Sequence, residues 1–198
     1  MILIFGKLTI LNLLFIMKKL LLPLMVLATM FACTAPEKKA DASASDDPRT
    51  GTFSSKDAKS QKVKELIEAY MKNDSSKIYD YYVDTVKIYD QMANRQENGK
   101  TIANPGGRTG FAANERMNHD FFTNINIPTD LITTFEFKDG RVHTGLWGLW
   151  TGKGKFSNKD ISCPLHLIFV WEGDKVVEEY RYFDPTALME EVAASQKK

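Results

Sequence analysis

Asp90 closes an alternating stretch, Val83 to Tyr89. A carboxyl in such a place, once shielded from water, gains proton affinity and can abstract a proton beside a carbonyl. In solvent the same residue is an ordinary loop aspartate. Near the C-terminus Glu178, Tyr180, Tyr182 and Asp184 recur at every second residue, so a strand would turn all four to one side. Two carboxyls and two phenols form a set that can exchange protons and hydrogen-bond a small molecule. Asp184 has a second use: followed by Pro185, it can cap a last helix. The catalytic candidates are therefore Asp90 and Asp184 as acid or base, with Tyr180 or Tyr182 as donor.

Trp147 shares a strand face with His143, and Trp150 takes the other. One tryptophan is expected to line a pocket and the other to pack on the outer face or in a dimer. His166 stands between apolar neighbours as a packed or pocket residue. If the side shared by these residues is the concave one, the pocket set is Glu178, Tyr180, Tyr182, Trp147, His143 and His166. His119 and Glu115 form an i, i+4 pair expected at the surface. Cys163 reads as a small core residue. The three histidines have no metal-ligand spacing, and Gly106-Gly107 lacks the rest of a phosphate loop, so neither metal nor cofactor is expected.

The elements that must hold these residues follow from periodicity. Val63, Leu66, Ile67, Tyr70 and Met71 make an amphipathic first helix, and Asp74 can cap a second through Ile78, Tyr81 and Tyr82. After the strand ending at Asp90 comes a long polar loop, Gln91 to Gly107, then a helix from Thr109 to Thr123 with Ala113, Met117 and Phe121 in line. Beyond Pro128 the period becomes alternating. Leu131 to Phe137 turns at Asp139-Gly140 into Val142 to Thr151, and Pro164 to Trp171 turns at Gly173-Asp174 into Val176 to Phe183. Leu188, Met189 and Val192 would face inward on the last helix. This is an α+β order, with helices packed on one face of a curved antiparallel sheet.

The 198 residues are 43% hydrophobic and 26% charged, the balance of one globular domain with a short appendage. Met17-Lys18-Lys19 followed by the apolar run Leu20 to Ala32 has the form of a signal peptide starting at Met17. Three of the 26 basic residues precede the first of the 25 acidic ones, which leaves the rest of the chain slightly acidic. Nucleic acid is excluded as a partner, since its binding needs clustered Lys and Arg. Residues 1–33 read as the leader and 34–58, rich in Ala, Ser, Asp, Lys and Pro, as a disordered tether reaching on the order of 25 to 30 Å. The domain is then 59–198.

Met30-Phe31-Ala32-Cys33 resembles a bacterial lipobox, which implies lipidation at Cys33, a cell-envelope location facing the periplasm and membrane attachment through the lipid only. The domain resembles the NTF2-like superfamily through Val63 to Asp74, Arg108-Thr-Gly-Phe-Ala-Ala, Ile127-Pro-Thr-Asp-Leu and Val176-Val-Glu-Glu-Tyr-Arg-Tyr-Phe-Asp184-Pro, the last two being most similar to SnoaL-like polyketide cyclases. That resemblance implies a cone whose pocket takes a small apolar or aromatic ligand. It places Asp90 near the general base of ketosteroid isomerases and turns Glu178, Tyr180 and Tyr182 toward the pocket. It also puts Leu66 at the oxyanion tyrosine of the first helix, where no hydrogen bond can be donated, so a steroid-isomerase mechanism is not expected. Three readings follow: a ligand binder, a cyclase or isomerase using a pocket aspartate, or an interaction module that pairs, as a homodimer, through the open sheet face.

Overall fold

Asp57 halts the chain in extended backbone and starts α1 (Ala58–Met71), its carboxylate accepting hydrogen bonds from the Lys59 and Ser60 amides. It also accepts from Thr134 Oγ1 at 2.9 Å, and Thr134 meets Thr144, which accepts from the Trp171 indole. This buried chain of hydroxyls fixes the start of the helix across three strands. Burial alone would push Asp57 up; its hydrogen bonds outweigh that and hold it below the usual carboxylate range.

The computed structural model describes residues 47–90, 96–97, 100–101, 103–104, 106–129 and 131–197. They fall in one unit, Asp46–Lys198. The readings of Met17, Cys33 and the tether up to residue 46 lie outside the described residues. Among the described residues no helix is long and apolar enough to cross a membrane.

The elements are β1 (Gly51–Ser54), α1, α2 (Ser76–Tyr81), β2 (Tyr82–Asp90), a small hairpin of β3 (Gln96–Glu97) and β4 (Lys100–Thr101), α3 (Gly107–Phe121), β5 (Phe122–Asn126), β6 (Ile132–Phe137), β7 (Val142–Gly154), β8 (Asp160–Glu172), β9 (Lys175–Phe183) and α4 (Thr186–Ser195). The main sheet runs β1-β6-β7-β8-β9-β2. β7 is long enough to serve two partners: Val142 to Leu146 pair with β6, and Thr151 to Gly154 with β5. One face packs Val63, Leu66 and Ile67 of α1 on Leu146, Phe169 and Val176.

The expectation of a cone on a curved antiparallel sheet is corrected. β2 joins β9 in parallel, which makes the sheet mixed, and the order runs from one edge, β1, to the other, β2, without closing or curling strongly on itself. The hollow is made by helices standing over an open sheet. Four strands had no sequence signal: β1, inside the stretch read as tether, β3 and β4, inside the stretch read as loop, and β5, which begins inside the stretch read as helix. On α3 the buried residues are Phe111, Ala112 and Glu115, while Met117 is exposed, so the inward face is rotated from the line expected. α3 starts at Gly106-Gly107: a φ of 100° at Gly106 favours glycine, and at Gly107, with φ 53°, a Cβ would collide with the Asp84 carbonyl oxygen.

Candidate functional site

A cavity of about 460 Å³ lies between the sheet and the helices, a size that suits a drug-sized small molecule. Leu66 and Ile67 of α1, Phe111 of α3 and Leu167 and Phe169 of β8 give it apolar walls. Trp150 adds its indole, folded across Gly152, where a Cβ would come within 2.6 Å of the ring. Ala187 and Leu188 of α4 line it from the C-terminal side. The polar lining includes Tyr70, Tyr82, Asp90, Asn104, Glu115, Glu179 and Arg181.

β9 supplies the ionic centre. Glu179, only 1% exposed, accepts a 2.6 Å hydrogen bond from the Tyr82 hydroxyl. Burial raises its carboxyl; Arg181 and Tyr82 oppose the rise, Glu115 and Asp90 add to it, and the outcome is about 7. Arg181 donates from Nη1 to Glu115 Oε1 at 2.5 Å and from Nη2 to Oε2 at 3.3 Å. Burial works against the charge of Arg181, but the two flanking glutamates keep it firmly protonated. Asp90 accepts from Asn104 Nδ2 at 2.7 Å.

Tyr70, on α1 one turn beyond Leu66, is the second notable group. Its hydroxyl oxygen accepts from Trp150 Nε1 at 3.0 Å and from Asn118 Nδ2 at 3.3 Å. Both lone pairs are thereby used, and its own proton has no acceptor among the described residues. Burial raises its pKa, so it stays a neutral donor. The first helix thus does carry a phenol into the cavity, a turn later than the position at which Leu66 argued against one.

Of the sequence candidates, Asp90 and Asp184 line the cavity. Asp184 accepts from the backbone N–H and the hydroxyl of Thr186, and these bonds hold it below its usual range as the start of α4, not as a proton carrier. Glu178, Tyr180, Tyr182, Trp147, His143 and His166 do not line this cavity. They belong to the opposite sheet face. There Trp147 stacks on His166 with ring centres 4.7 Å apart, Tyr182 lies beside His166, Tyr180 stacks on Tyr89, and Glu178 pairs with Lys87. Burial lowers the pKa of His143 and of His166.

β9 alternates as expected, but the cavity side is Glu179, Arg181 and Phe183, one residue out of phase with the expected set. Glu115 is likewise no surface partner of His119: it is buried on Arg181, while His119 meets the Tyr70 carbonyl. Cys163 lines the cavity, its thiol raised by burial. Among the described residues no group of three or more His, Cys, Asp or Glu is placed to hold a metal ion.

No protein-family model matches the chain, and no curated protein matches its sequence. Solved structures do resemble it. A protein of ketosteroid isomerase-like fold from Catenulispora acidiphila, in complex with trimethylamine, gives a TM-score of 0.51 at 11% identity, over 66% of this chain and 91% of that one. IdmH from Streptomyces antibioticus, a candidate polyketide cyclase, gives 0.52 at 13% identity over 69% and 99%. A candidate isomerase from Bacillus subtilis gives 0.52 at 8% identity over 68% and 92%. Identities this low speak for the fold alone, and that fold is the ketosteroid isomerase-like, or NTF2-like, α+β fold.

Proposed function

We propose that the domain is an acid/base enzyme of isomerase or cyclase type, acting on a small, largely apolar carbonyl compound held in the cavity. The observation that carries this reading is Glu179: a carboxyl at about 7, almost wholly buried and on the cavity wall. Raised so far, it can hold or release a proton near neutrality, as a group must that removes a proton from carbon and returns it elsewhere. Tyr70 supplies what the enolate oxygen needs, a neutral O–H donor polarised by two incoming hydrogen bonds. Asp90 is a second carboxylate on the same wall, in place for a proton that must move between two sites of one substrate. The neighbouring folds of a candidate cyclase and a candidate isomerase agree with this chemistry without assigning a substrate.

Exchange of carbon-bound hydrogen tests it without knowledge of the natural substrate. Apolar cyclic ketones incubated in D2O with the protein should take up deuterium beside the carbonyl faster than without it, and Glu179→Gln should abolish the gain. Wild-type protein that accelerates exchange in none of them, or a Glu179→Gln variant that exchanges as fast as wild type, would contradict the reading.

We propose two attachments besides, one to the membrane and one to a second copy. A leader ending at Cys33 supports a lipid anchor in the bacterial envelope, and with such an anchor Cys33→Ser should move the protein from the membrane fraction to the soluble one. On the outer sheet face Trp147 is 40% and Tyr182 48% exposed beside His166. An aromatic surface of this kind favours pairing with a second copy. Trp147→Asp should convert a dimer to a monomer by light scattering, and a wild type that is already monomeric would refute it.

A further inference from the structure

Arg181 is the one cation among the described residues lining the cavity, and two glutamates compete for it. Its Nη nitrogens both go to Glu115, at 2.5 and 3.3 Å. Toward Glu179 it presents only Nε, an ion pair 3.3 Å from Oε1 without hydrogen-bond alignment, so that Nε has no hydrogen-bond partner among the described residues. The Phe111 ring lies 5.3 Å from the guanidinium carbon and backs it on the α3 side. Glu115 and Phe111 both come from α3, so docking that helix on the sheet settles which glutamate receives the fork.

We propose that Glu115 is a positioning residue for the proton transfer assigned above to Glu179: by taking both Nη nitrogens of Arg181 it keeps the guanidinium fork off Glu179 and leaves that carboxyl as the group that gives and takes the proton. A carboxylate gripped by a guanidinium through two parallel hydrogen bonds is held ionised and is a poor base near neutrality. A buried carboxyl that lacks the fork keeps its proton more readily than one that holds it. The groups facing Glu179 are consistent with that division. Tyr82 and Asp90 approach from β2, Glu115 from α3 and Arg181 from β9 itself, Tyr70 of α1 faces Arg181, and the register neighbour on β8 is the apolar Phe169. No second cation is among them.

This inference rests on Glu179 being the proton carrier, and its test is read without substrate so that the two can fail separately. In protein labelled with 13C at glutamate carboxyls, with the Glu179 signal identified by its loss in Glu179→Gln, Glu115→Gln should lower the Glu179 titration midpoint by about one pH unit or more. A crystal structure of Glu115→Gln should show the Arg181 Nη nitrogens moved onto the Glu179 carboxylate. Glu115→Asp, which keeps the charge, should restore a midpoint within about half a unit of wild type. A midpoint in Glu115→Gln that stays or rises, or a guanidinium that does not move, overturns the proposal. One measurement needs no variant: hydrogen-bond couplings from Arg181 Nη should lead to the Glu115 carboxyl, and couplings to Glu179 instead would overturn it. If these results hold while ketone exchange is absent, Glu115 still controls Arg181 and the catalytic reading alone falls.

Discussion

Glu179→Gln should stabilise the protein at alkaline pH and do little for it in acid. Burial lifts this carboxyl from an ordinary 4.5 to about 7 in the folded protein. Between those values the folded state holds more protons than the unfolded one, so the protonated group stabilises the fold below the lower value. That contribution is lost as pH climbs through the upper one. From about pH 5 to about pH 9 the loss amounts to roughly 2.5 kcal/mol. Glutamine keeps the shape, can accept the hydrogen bond from Tyr82 and does not titrate. The advantage of the variant over wild type should therefore grow by that amount across the interval. With a urea slope of about 2 kcal/mol per molar, the gap between the two midpoints should widen by about 1 M. Urea unfolding followed by tryptophan fluorescence at several pH values measures it. Curves for the two proteins that run parallel from acid to alkali would refute the reasoning, because they would mean that Glu179 enters the fold with an ordinary proton affinity.

Three other outcomes follow from particular contacts. Tyr70→Phe removes the polarised donor while keeping the ring, so ketone exchange should fall about 10²-fold, and the Trp150 and Asn118 N–H groups left without their acceptor should cost about 1 to 3 kcal/mol of stability; an unchanged rate in the folded variant would remove Tyr70 from the mechanism. Asp57→Ala strips the cap of α1 and the acceptor of Thr134 together, and chemical denaturation should show a loss of about 2 kcal/mol. Glu191 is the one buried residue among those described on α4, and its carboxylate accepts from the Phe156 and Ser157 amides of the β7–β8 turn. In Glu191→Ala hydrogen exchange should quicken in α4 and at those two amides while the central strands stay protected; equal protection would show that α4 is held by other contacts.

Much of this architecture could be read from periodicity. The first helix, the two-residue turn at Gly173-Asp174 and the strand ending at Asp90 follow from apolar spacing and turn chemistry, and Asp90 does reach the cavity; at Asp139-Gly140 the turn is one residue longer than expected, Lys138 to Gly140, closed by the Phe137 N–H on the Arg141 carbonyl. The side of β9 could not be read the same way. In Val176 to Phe183 both alternating sets are polar, Glu178 with Tyr180 and Tyr182, or Glu179 with Arg181, so hydrophobicity does not choose between them. The buried set is the ionic one, and only its pairing with Glu115, 66 residues away, makes that burial tolerable. The same distance hid Glu115, whose sequence neighbour His119 offered a simpler partner. β1 is exposed at all four residues and carries no alternation, and the parallel contact of β2 with β9 is a long-range pairing with no local signature. The sheet was expected to be antiparallel and curved because only its hairpins leave such signatures.

Acid/base chemistry in this cavity depends first on the proton affinity of one side chain, Glu179. A carboxyl titration of wild-type protein by 13C NMR, with the Glu179 signal assigned from Glu179→Gln, should give a midpoint of about 7. A midpoint at the ordinary glutamate value of 4.5 would leave Glu179 a structural anion and contradict the proposed acid/base function.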